Sequence, residues 1–78
     1  MPTFICDFAD GERTAMTVYC REGLDVARGV KLAGYAYESR KGKRPPAIVS
    51  ATFVSRDDGS TLATYDAALL AKVAEAAK

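Results

Sequence analysis

Histidine is missing from this chain, and cysteine occurs only twice, at Cys6 and Cys20. Without histidine no side chain has an ordinary pKa near neutrality, so general acid–base catalysis loses its usual agent. Two thiols outside any Cys-x-x-Cys spacing, with no imidazole to join them, do not build the common zinc sites, and neither a metal nor a cofactor is expected. A Gly-rich phosphate loop and a Gly-x-Ser-x-Gly elbow are also lacking, which makes an enzyme the least favoured class. No apolar run approaches the length of a membrane span. The opening Met1-Pro2-Thr3-Phe4-Ile5 carries no basic segment followed by a long apolar stretch, so the expected address is the cytoplasm, away from membranes. With a formal net charge of only +1, the whole molecule exerts little pull on polyanions, and any electrostatic function must be local.

What is present is an ordinary globular composition, 49% hydrophobic and 27% charged over 78 residues. That excludes a wholly disordered chain and bounds the molecule to one domain, residues 1–78, near the lower size at which a single core suffices.

A short pattern occurs twice: alternating apolar residues, an Asp-Gly, a second strand-like run, then a helical stretch. Asp10-Gly11 follows Phe4 to Phe8, and Asp58-Gly59 follows Ile48 to Val54. Each reads as a β-hairpin whose Gly enters φ > 0 without steric cost. Parity sets the first loop. A two-residue loop would split the apolar set between faces, whereas the three-residue loop Ala9-Asp10-Gly11 keeps Phe4, Cys6, Phe8, Met16, Val18 and Cys20 on one face. That register puts Cys6 opposite Thr14 and separates the two cysteines by about 20 Å, too far for a disulfide. Both are expected to be reduced core thiols. The second loop, Asp57-Asp58-Gly59, is expected to repeat the form and to set Val54 across from Leu62.

Asp25 is a candidate N-cap for a helix reaching about Lys41, with Gly42 beyond its end and Val26, Val30, Ala33 and Tyr37 forming an apolar stripe. Gly29 and Gly34 within it mark either a weakened helix or a close approach to the sheet. After Pro45-Pro46, Ala47 to Arg56 reads as a strand of ambiguous facing, because Ile48, Thr52 and Val54 compete with Val49, Ala51 and Phe53. A short fourth strand over 61–65 precedes a last helix, surest from Asp66 to Ala77, with Leu69, Leu70, Val73 and Ala77 turned inward. The fold class is α+β: a small two-layer sandwich, ββαββα, with a mostly antiparallel sheet and two helices on one face. If the fourth strand fails, the order becomes ββαβα.

Candidate chemistry is sparse. Asp7, Asp10, Asp57 and Asp58 form the one acidic cluster, and in turns Asp serves the backbone. Tyr35, Tyr37 and Ser39 have no evident partner base. Two surfaces stand out. Arg40, Lys41, Lys43 and Arg44, joined by Arg28 and Lys31, concentrate positive charge that can meet phosphates or simply solvate a loop at a helix C-terminus. Ile5, Ala15 and Tyr19, with Phe53 or Tyr65, are expected on the sheet face away from the helices, where they suit a dimer interface better than base stacking because no cation alternates with them. The expectation is therefore a small interaction module that self-associates through its sheet, with weak nucleic-acid binding by the basic segment as the alternative.

Overall fold

The computed structural model describes residues 1–76. Its order is ββαββα: β1 Thr3–Phe8, β2 Arg13–Thr17, α1 Val26–Lys41, β3 Ile48–Val54, β4 Thr61–Asp66 and α2 Ala67–Ala76. The four strands form one antiparallel sheet in the order β2-β1-β3-β4. Two ββα units thus meet through their first strands, and α1 carries the chain over β1. Both helices pack on the same face. Val30, Ala33 and Tyr37 of α1 and Leu70 of α2 share one buried cluster with Phe4, Cys6, Phe8, Ala51 and Phe53.

The first hairpin follows from its loop. Gly11 N–H donates to the Phe8 carbonyl at 3.0 Å, and the Phe8 N–H donates to the Glu12 carbonyl at 2.8 Å. Gly11 has φ +88°, the left-handed value that closes a type I turn with a bulge. Cys6 faces Thr14 and Phe4 faces Met16, so the apolar set lies on one side as parity requires. Cys6 and Cys20 are both unpaired thiols, Cys6 fully buried and Cys20 half-buried. Strand β2 stops at Thr17, earlier than its alternation suggests, although Val18 remains fully buried.

The second loop is one residue longer than expected. Ser55 N–H donates to Ser60 O and Gly59 N–H to Ser55 O, leaving 56–59 as a four-residue loop. Val54 then faces Thr61 rather than Leu62, and the register shifts so that Phe53 faces Ala63. Leu62 is the extra residue of that irregularity and stays 49% exposed.

A second bulge resolves the ambiguous facing of β3. Asp7 opposes Ser50 but Phe8 opposes Ile48, so Val49 has no partner. Downstream of it Ala51 and Phe53 face the core, and upstream Ile48 packs against the same core. The two competing apolar sets are therefore both used, on either side of a break in period.

Helix α1 begins where Asp25 accepts the Arg28 N–H at 3.1 Å and ends where Gly42, at φ +72°, donates to Glu38 O at 2.8 Å. Gly29 lets it lie directly on the sheet: a Cβ there would sit 2.9 Å from two carbons of the Phe4 ring. The last strand runs straight into α2, with Asp66 accepting the Leu69 N–H at 2.9 Å as the cap. Leu70 is buried and Val73 half-buried, but Leu69 is 43% exposed, contrary to expectation, and Ala77 lies outside the described residues. No described helix is long and apolar enough to cross a membrane.

Candidate functional site

With both helices on one side, the other side of the sheet carries the alternate residues of every strand. Ile5 and Thr52 are paired at its middle, with Thr3 opposite Val54 and Ala15 opposite Ile5. Thr17 and Thr64 extend this row to the two edge strands. The centre is consequently a flat field of β-branched side chains, the type that packs well on a pleated surface.

Within the strands, one end of this face carries a matched pair of charges. Asp7 and Arg13 are direct cross-strand partners; the guanidinium grips the carboxylate through Nε–Oδ1 at 2.6 Å and Nη2–Oδ2 at 3.2 Å. Ser50 Oγ donates to the same carboxylate at 3.3 Å. The Arg13 hydrogen bond holds Asp7 below the usual carboxylate range. Asp66, the remaining acid on this side, is engaged in capping α2.

Of the residues expected on this face, Ile5 is there, half-buried among its neighbours. Tyr19 lies beyond the end of β2 and is 55% exposed. Phe53 and Tyr65 are on the helix side instead. Phe53 is fully buried with its ring centroid 4.7 Å from Phe4, and Tyr65 meets it edge-on at 6.0 Å. Parity across the β3 bulge puts them there, so neither extends the open surface. Thr52 and Val54 were legible only as one of two competing sets on the third strand, and Thr3, Thr17 and Thr64 gave no signal, because threonine does not register as an apolar alternation.

The basic segment is only partly available. Glu12, from the first hairpin loop, accepts Lys41 Nζ at 2.8 Å and Arg40 Nη2 at 3.2 Å. Lys41 lowers the Glu12 pKa in return. Arg28 lies 3.8 Å from Asp25 at the opposite end of α1, about 18 Å from Arg40 along the helix. Among the described residues Lys31, Lys43 and Arg44 have no carboxylate within 4.0 Å. Two unpaired cations in the 40–44 segment give a salt slope of only about −2, against about −5 for all six acting together.

Beside Glu12, Asp10 ties the same loop to α1. Its carboxylate accepts the Glu12 N–H at 3.1 Å, as a turn aspartate does, and also the Tyr37 hydroxyl at 2.5 Å. This second bond was not foreseen, since Tyr37 has no acid near it in sequence. The Asp10 carboxylate, followed by desolvation, pushes the Tyr37 hydroxyl up to about 12, and the hydroxyl lowers the Asp10 pKa. Such a hydroxyl is a poor proton donor at neutral pH, and the pair acts as a structural tie. One sequence signal was available: Tyr37, Arg40 and Lys41 share a helical face at i, i+3 and i+4, and Asp10 and Glu12 share a side of the loop.

Burial pushes the Cys6 thiol up to about 12, which removes it as a nucleophile. No described group of three carboxylate or thiol side chains is placed to hold a metal ion. Compared with known proteins, the chain matches no family model, no curated protein and no solved structure.

Proposed function

We propose that this protein is a small interaction module that self-associates through the helix-free face of its sheet. The observation that carries this reading is the composition of that face: a β-branched centre bordered by Asp7 and Arg13, which are paired with each other within the monomer. A second copy centred on it meets Asp7 and Arg13 as a pair rather than as lone charges, whose burial would otherwise cost on the order of several kcal/mol. A core this small also gains from association.

Area limits the strength. Four strands about 4.8 Å apart and roughly 18 Å long project on the order of 350 Å² per copy. Stable interfaces bury about 800 Å² per partner, so the dimer belongs to the weak, concentration-dependent class. Sedimentation velocity across a concentration series tests the reading. The weight-average mass should rise towards that of a dimer, and Thr52→Lys, which places like charges near each other across the interface, should return it to the monomer. A strict monomer throughout, or a dimer indifferent to Thr52→Lys, would sink it.

A further inference from the structure

On the opposite side of the molecule the two helices cover the core but do not meet along their whole length above it. They leave a groove of about 590 Å³, within the size range of small-molecule pockets. The gap exists because the facing helix surfaces are short of side chain: Gly34 of α1 looks across at Ala67, Ala71 and Ala74 of α2. Phe8 and Ile48 line it from the sheet, so its body is predominantly apolar. Two charged side chains also line it, Glu38 and Arg44. They belong to one end. Pro45 lies beside Gly34, so Arg44 reaches the groove near the next turn of α1, where Glu38 stands. Glu38 and Arg44 are nevertheless not paired: they make no contact within 4.0 Å, and neither has another ionic partner among the described residues.

An apolar groove with one exposed, unpaired cation and one exposed, unpaired anion at the same end complements a ligand of matching design. It needs an apolar body and, close together at one end, a carboxylate and an ammonium group. We propose that this groove binds a small apolar zwitterion of the α-amino-acid class, carboxylate on Arg44, ammonium on Glu38 and side chain between the helices. A simple anionic amphiphile would bring its charge against Glu38, and a simple cation would meet Arg44; only the zwitterion satisfies both. The groove and the open sheet face lie on opposite sides, so this inference stands or falls independently of self-association.

The test uses the intact protein with L-phenylalanine as probe, followed by calorimetry and by amide chemical shifts. Saturable binding at millimolar concentration or below, with shifts at Gly34, Ala71 and Ala74, is expected. N-acetyl-L-phenylalanine and L-phenylalanine amide, each lacking one charge, should bind at least about tenfold more weakly, the scale of one lost charge-assisted hydrogen bond. Glu38→Gln should weaken phenylalanine but strengthen the N-acetyl anion, which it relieves of a like charge, and Arg44→Gln should weaken phenylalanine but strengthen the cationic amide. Ala71→Leu, checked for native circular dichroism, should abolish binding by filling the groove. Should phenylalanine fail to saturate, the N-acetyl compound or the amide bind as tightly as the parent, or both charge variants retain full affinity, the proposal is overturned.

Discussion

Gly29 and Gly34 stand five residues apart in α1, and the same substitution at each should have opposite effects. Replacing either with Ala raises helix propensity by about 1 kcal/mol, so that contribution cancels when the two variants are compared. What differs is the space. At Gly34 the nearest atom to an added Cβ is Pro45 Cγ at 3.9 Å, an ordinary contact. At Gly29 the Cβ would sit 2.9 Å from Cγ and one Cδ of Phe4, a fully buried ring already held against Phe53. These are the near atoms of the ring, so the strain is not relieved by moving a side-chain tip. Forcing a methyl group into a packed core costs about 1–3 kcal/mol. Gly34→Ala should therefore gain up to about 1 kcal/mol and Gly29→Ala lose up to about 2 kcal/mol. For a domain of this size each kcal/mol moves Tm by about 4–8 °C. Urea denaturation followed by circular dichroism reads the difference, and Phe4→Leu in the Gly29→Ala background should recover part of the loss. Equal stabilisation by both substitutions would refute the close approach of α1 to the sheet.

Other expectations concern the caps and the buried hydroxyl and thiol groups. Asp25→Ala and Asp66→Ala should each cost about 1 kcal/mol in urea denaturation, since each removes the acceptor for a first-turn N–H. Because burial raises Cys6 from 9.0 to about 12, its contribution to stability is complete below pH about 9 and is lost as pH climbs towards about 12. The slope of stability between pH 9 and 10 should therefore flatten in Cys6→Val. Tyr37 acts in the same direction from pH about 10 upward. Tyr37→Phe should keep the ring against Phe8, 4.8 Å away, while returning the Asp10 pKa towards the ordinary carboxylate range, as a carbon-detected carboxyl titration would show. The depressed Asp10 pKa has the opposite sign in stability: its contribution is present above the ordinary carboxylate range and disappears as pH falls through the folded value.

Where the chain's periodicity was uninterrupted, the fold was legible. Phe4, Cys6 and Phe8 alternate cleanly, and with a parity argument they identified both the loop and the register of the first hairpin. Asp25 and Gly42 marked the ends of α1 because each solves a specific backbone problem, an orphan N–H and a left-handed turn. Legibility failed at bulges. Val49 and Leu62 each insert one residue and leave themselves outside the ladder. The Leu62 bulge offsets the extra residue of the second loop and restores Phe53 opposite Ala63, whereas no local pattern announces the Val49 insertion, so the facing of β3 stayed ambiguous and Phe53, with Tyr65 from the neighbouring strand, was expected on the wrong face. The open face itself was visible only through Ile5 and Ala15, because threonines signal neither core nor site. Contacts across 27 residues, such as Tyr37 with Asp10, depend on how α1 crosses the sheet, which spacing alone does not specify.

The claim that the helix-free face is where two copies meet is tested most directly by isotope-filtered nuclear Overhauser measurements on a mixture of labelled and unlabelled protein at high concentration. The account predicts intermolecular contacts from the methyl groups of Ile5, Thr17, Thr52 and Val54. Their absence at concentrations where the mass exceeds that of a monomer, or intermolecular contacts confined to Tyr35 and Leu69 on the helix side, would contradict it.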